Sequence, residues 1–235
     1  MMSAESVSML ITIGLAAIPI LLGIGFALGK YNAGRTRRTL RPLRMSTSFI
    51  LVVCAALLWA SSTALSSAAR SIFFGMAFGF CGDLILADVI RLRNPMIFGI
   101  IAFGIGHIFY ITGFIQASQA LGLSNPLSGS MLWVVYVMVV GVLWVAVINN
   151  SHKSRTLNIG SLIYAWLIAI MAGTAGGLAI QDGRFGLTAL GGLLFLISDL
   201  ILGNRELRDN AWFLVHDVVW VIYIAGQALI VLTTR

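Results

Sequence analysis

Continuous apolar runs of about twenty residues, separated by short polar connections, follow one another along the whole chain. A helix rises about 1.5 Å per residue, so about twenty residues cross the roughly 30 Å of bilayer hydrocarbon. Eight runs come near that length: 7–29, 45–65, 71–90, 95–117, 131–148, 157–180, 185–202 and 211–232. Membrane strands would instead read as alternating segments of about ten residues. With 59% hydrophobic and 10% charged residues in 235, a soluble domain, which carries about 25% charged residues, is excluded. The expected fold is an all-α integral membrane protein, a single domain over 1–235 formed by one bundle of eight transmembrane helices. The first run follows a segment with Glu5 and no basic residue and exceeds a typical signal-peptide core, so it is expected to be a retained span.

The formal charge of +7 reports orientation and not a nucleic-acid partner, because its residues fall between the runs. Lys30, Arg35, Arg37, Arg38, Arg41 and Arg44 lie in the first connection, Arg91 and Arg93 in the third, Lys153 and Arg155 in the fifth, and Arg205 and Arg208 in the seventh. The opposite side holds Arg70, Arg184 and Arg235. The positive-inside rule then puts the odd connections in the cytoplasm and both termini outside. Arginines beside the bilayer also suit anionic membrane lipid. Cys54 and Cys81 both fall inside runs, where packing is expected and pairing is not.

Two carboxylates break the apolar pattern. Asp83 and Asp199 each begin an Asp-Leu-Ile-Leu tetrapeptide, one in each half of the chain. A carboxylate among lipid tails costs from about 3 to more than about 10 kcal/mol, so such a residue normally faces a cavity and works there. Tyr110-Ile111-Thr112-Gly113 is echoed by Tyr223-Ile224-Ala225-Gly226, with Asp-to-Tyr gaps of 27 and 24 residues. Either the halves 7–118 and 131–232 are parallel four-helix repeats, or the echo is chance among the common residues Leu, Ile, Ala and Gly.

Along straight helices Asp83 lies about 12 Å from Arg91 and Asp199 about 9 Å from Arg205, while His107 and Tyr223 lie about 18 Å from Pro95 and Ala211. A polar shaft open to the cytoplasm is expected to join these two levels. His216, Trp220, Tyr223 and Gln227 follow at steps of four, three and four, which places them on one helical stripe. His107 and Tyr110, three apart, share a face. Asp88 is expected to pair with Arg91, Glu206 reads as solvated charge, and Asp209 and Asp217 are expected to need no role. No HExxH, paired-histidine or GxSxG spacing occurs, so neither a metal or other cofactor nor a serine hydrolase is expected.

At these residues the chain resembles the YhhN family of membrane proteins, whose characterised members are lysoplasmalogenases. The matching pieces are FGMAFGFCGDLILAD, ending its small-residue stretch in Gly-Asp; GIGHIFYITGF, with its His-x-x-Tyr; LGGLLFLISDLILGNREL, with Phe-x-x-Ser-Asp-x-x-Leu-x-x-Asn; and YIAGQALI. Where the family begins its second span with Lys-Pro, this chain has Arg41-Pro42, a fork in place of a point charge.

The resemblance implies hydrolysis of the vinyl ether of a lysophospholipid substrate, a lysoplasmalogen, to a fatty aldehyde and a glycerophospho-ethanolamine or -choline. Protonation of the outer alkene carbon gives an oxocarbenium ion that water captures, so the reaction wants a neutral carboxylic acid beside an anion. Two carboxyls sharing a low-dielectric pocket divide in that way, much as in glycoside hydrolysis. Asp83 and Asp199 are the expected catalytic pair. His107, Tyr110 and Gln227 are expected to line the substrate site, Asn204 and Tyr223 to orient water or glycerol, and Arg41 or Arg205 to meet the phosphate. A proton-coupled carrier of a small amphiphile is the alternative, since intramembrane carboxylates also mark transporters.

Overall fold

The computed structural model describes residues 3–123 and 126–235, with backbone alone at 4 and 126–130. Among the described residues eight α-helices follow in order: α1 (Ala4–Leu28), α2 (Arg41–Ser61), α3 (Ser66–Leu86), α4 (Pro95–Ala120), α5 (Pro126–Val147), α6 (Arg155–Gln181), α7 (Gly186–Arg208) and α8 (Val215–Val231). Among the described residues seven helices are long and apolar enough to cross a membrane, and α5 adds the shorter apolar piece Met131–Val147. This is a multi-pass, all-helical membrane protein.

Local chemistry sets the helix ends. Three of the four prolines, Pro42, Pro95 and Pro126, stand at or next to a helix's first residue, where a missing N–H goes unnoticed. Ser3 and Ser154 cap α1 and α6 by accepting from Ser6 N and Leu157 N. The expected third span ran to Ile90, but α3 stops at Leu86 because Asp88 turns left-handed at φ 57°. Asp88 N–H bonds Ile85 O at 3.0 Å and Val89 N–H bonds Leu84 O at 2.9 Å, the paired bonds of a Schellman stop. Asp88 therefore ends a helix, and no ion pair to Arg91 occurs among the described residues. The eighth helix likewise starts late, at Val215, after Leu214 at φ 62°.

The helices pack as a closed ring in the order α2, α3, α4, α6, α7, α8 and back to α2, with α1 outside α2 and α5 outside α6. Small residues make the tightest crossings. A Cβ on Gly106 would meet Gly75 O at 2.9 Å, and a Cβ on Gly226 would meet Gly191 O at 2.8 Å, so α3 against α4 and α7 against α8 come nearly backbone to backbone. These crossings fill the half of the ring nearer the even connections. The other half is left open inside.

Candidate active site

That open half is a cavity of about 300 Å³ to which every ring helix contributes, together with Val140 and Ile148 from the α5 side and Arg37 from the first connection. Asp83 and Asp199 both line it. Asp83, only 4% exposed, sits in the last turn of α3 and accepts two hydroxyl protons on Oδ2, from Ser48 at 2.5 Å and from Tyr223 at 3.0 Å. Asp199 accepts from Tyr164 on Oδ2 at 2.5 Å and from Ser198 on Oδ1 at 3.3 Å. Neither carboxyl is in a salt bridge among the described residues. The donors that hold them are neutral hydroxyls, with Ser198 also donating to Phe195 O at 2.7 Å.

A relay stands behind Asp83. Tyr110 donates to Gln227 Oε1 at 2.6 Å, Gln227 Nε2 donates to Tyr223 at 3.0 Å, and Tyr223 donates to Asp83. Gln227 is fully buried, and both its oxygen and its nitrogen are engaged. Behind Asp199 stands His107, whose Nε2 lies 3.4 Å from the Tyr164 hydroxyl. Since the Tyr164 proton is committed to Asp199, Nε2–H is the donor, which leaves Nδ1 the bare nitrogen, buried with no partner. Phe195 packs edge-on against His107, ring centres 4.6 Å apart. Of the expected upper level, Tyr223 is therefore one hydrogen bond from Asp83, and His107 reaches Asp199 through Tyr164.

The expected residues divide into three sets. Asp83, Asp199 and Tyr223 form the cavity wall, as do His216 and Trp220 of the α8 stripe. His107 and Gln227 stand behind that wall, bonded to its members Tyr164 and Tyr223, and Tyr110 stands behind Gln227. Arg41, Asn204 and Arg205 are elsewhere. Arg41 lies exposed in the first turn of α2. Asn204 ties helices together, donating to Val147 O at 2.5 Å and accepting from Asn210 at 2.7 Å. Arg205 pairs with Glu206 at 2.8 Å, and it is Glu206 that reaches the cavity.

The cations on the cavity wall are instead Arg37 and Arg44. Arg44 is one turn before Ser48, so its side chain shares the face that meets Asp83, whereas Arg41 sits at the helix tip. Its guanidinium lies over the Trp220 ring, 4.4 Å from the centre. Arg37 is held by its backbone: Asn32 Oδ1 accepts from Thr36 N at 2.8 Å and Arg37 N at 3.0 Å. The connection is pinned to α8 by Asp217, which is buried and accepts from Arg38 N at 2.6 Å and Thr39 N at 3.1 Å. Asp217 was expected to need no role; its work is to cap a loop that would otherwise leave N–H groups unpaired.

Ser48, Tyr164, Arg37 and Arg44 carry weight that the sequence did not single out. One signal was present for Tyr164: it lies nine residues into α6, as Asp199 lies nine residues from the end of α7, and these helices run antiparallel from the same face. Among curated proteins and among solved structures nothing matches the chain. The sequence profile of the YhhN family matches residues 43–234, from just before Arg44 through the end of α8 and thus over both aspartates and every helix of the ring but the first two residues of α2. The chain belongs to the YhhN family and is, at the level of that family, a lysoplasmalogenase-like membrane protein.

Proposed function

We propose that this protein hydrolyses the vinyl ether bond of lysoplasmalogens. The observation that carries the reading is the placement of Asp83 and Asp199 on the wall of one cavity, each held by hydroxyl donors and free of cationic partners. One carboxyl, protonated, delivers its proton to the outer alkene carbon. The other, ionised, faces the oxocarbenium ion and takes a proton from the water that captures it. The resulting hemiacetal collapses to the fatty aldehyde and the glycerophospho-alcohol, with one water consumed per bond broken.

The walls fit an amphiphile. Met96, Ile100, Phe103 and Ile168 give the cavity an apolar side, facing the polar side of Arg44, Asp83 and Tyr223. A volume of about 300 Å³ accommodates the polar end and the reacting atoms, while the alkyl tail continues toward lipid. The mouth lies at the end of the ring that bears the odd connections, which the positive-inside rule assigns to the cytoplasm. A carrier needs a second opening at the far side, where the glycine crossings and the Ser71–Gln116 contact at 2.8 Å close α3 on α4. Among the described residues the pocket at that side, lined by Ala68 and Gln116, shares no residue with the cavity, as suits a hydrolase.

The test is aldehyde release from an alkenyl lysophospholipid by purified Asp83→Asn and Asp199→Asn proteins in detergent. Each is expected to lose at least about a hundredfold in kcat at an unchanged elution volume. A folded variant with near wild-type turnover removes that residue from the chemistry.

A further inference from the structure

We infer that Arg44, with Arg37 beside it, is the anchor for the phosphate ester of the lysolipid headgroup, a role that rests on the lysolipid reading above. A charged guanidinium drawn out of water demands a counter-anion or a full set of acceptors. Arg44 has neither. Its Nε is buried with no hydrogen-bond partner, and it enters no ion pair among the described residues. The nearby carboxylates are engaged elsewhere: Asp83 receives Ser48 and Tyr223, and Asp217 receives the backbone of Arg38 and Thr39.

The Arg44 guanidinium carbon lies over the Trp220 ring, 4.4 Å from its centre. A guanidinium resting on a ring face keeps the N–H groups at its own edge free to match two oxygens of a phosphate. Trp220 is itself fixed by donating to Thr47 at 3.3 Å, and Thr47 donates back to Arg44 O at 2.7 Å. Trp220 thus supports the guanidinium at the cavity wall. Arg37 approaches from the pinned connection and supplies a second positive charge on the same wall.

The spacing suits the substrate. Arg44 and Ser48 are one turn apart, about 6 Å along α2, and Ser48 holds Asp83. Six bonds separate the phosphorus of a lysoplasmalogen from the vinyl carbon bound to its ether oxygen. Taking three backbone bonds as about 3.8 Å, that path reaches about 7 to 8 Å when extended. A phosphate on Arg44 thus delivers the vinyl ether to the level of Asp83. Arg41 is exposed, and Arg205, whose Nε is also buried without a partner, is paired with Glu206; neither lies on the cavity wall.

The test uses a saturated 1-O-alkyl lysophosphoethanolamine, which has no vinyl group to hydrolyse, against the 1-O-alkylglycerol of the same chain. Equilibrium binding to the full chain in detergent is expected to favour the phosphorylated lipid by at least about tenfold, the scale of one charge-assisted bidentate contact. Arg44→Gln is expected to abolish that preference and leave alkylglycerol affinity unchanged, with Arg37→Gln reducing it in part. An Arg44→Gln protein of unchanged Tm that keeps the full preference overturns the proposal; should that variant not fold, an unchanged preference in Arg44→Lys does the same. Soluble glycerophosphoethanolamine binding as tightly as the alkyl form also overturns it, by showing a site for free phosphate esters. Because no bond is cleaved, failure here leaves the hydrolase reading standing, and failure of the aspartate variants leaves this one standing.

Discussion

Tyr164 stands 35 residues before Asp199 and donates to its Oδ2 across 2.5 Å. Ser48 stands 35 residues before Asp83 and does the same at 2.5 Å. In both halves a helix supplies a hydroxyl to the carboxyl of the next helix, α2 to α3 and α6 to α7. The two carboxyls thus receive equivalent support from chemically different residues, a short aliphatic hydroxyl and a long phenol.

Tyr164→Phe removes the hydroxyl from Asp199 and from His107 together. Turnover in the aldehyde-release assay is expected to fall about tenfold to a hundredfold, with Tm lowered by the few degrees that about 1 kcal/mol represents. An unaltered kcat would show that the phenol does not hold the catalytic geometry.

Ser48→Ala acts on the more buried carboxyl. Asp83 keeps only the Tyr223 bond, and an under-satisfied buried acceptor costs about 1–3 kcal/mol. A larger drop in the thermal-unfolding midpoint than for Tyr164→Phe is expected, because Asp199 is only partly buried while Asp83 is 4% exposed.

Asp217→Ala releases the first connection. The N–H groups of Arg38 and Thr39 lose their acceptor, each at about 1–3 kcal/mol if left buried. Trypsin cleavage at Arg35, Arg37 or Arg38 is expected to accelerate at least about tenfold relative to the native chain. Equal cleavage rates would mean that other contacts hold the loop.

Glycine substitutions separate crossing points from open faces. Gly191→Ala puts a methyl 2.8 Å from Gly226 O, a backbone atom that cannot move aside, and overpacking of this kind costs about 1–3 kcal/mol or more. Gly104→Ala meets only a Leu167 methyl at 3.6 Å, ordinary contact, and its Tm is expected to match the native protein. Comparable Tm values for the two variants would contradict the close crossing of α7 and α8.

Much of this was legible before any coordinates. Hydrocarbon admits only backbones that satisfy themselves, so the apolar runs announced helices, and the price of an intramembrane carboxylate pointed to Asp83 and Asp199. Periodicity placed His216, Trp220 and Tyr223 on one wall. What failed were judgements about ends and partners. The stop at Asp88 and the late start at Val215 depend on left-handed residues that are not glycine. Arg41 was favoured over Arg44 because its Arg-Pro setting resembled a motif; which arginine faces inward depends on how α2 is rotated against α3 and α8.

The order of residues by itself determined that the chain is a helical membrane protein with two carboxylates that must find polar company, because hydrophobic length and desolvation are local, additive properties of the sequence. Only the tertiary structure decided which company they found. Ser48 and Tyr164 reach their aspartates, and Arg44 is left facing the cavity without an anion, through the rotation and closure of a six-helix ring. Such relations join residues far apart in the chain, and no single helix's periodicity contains them.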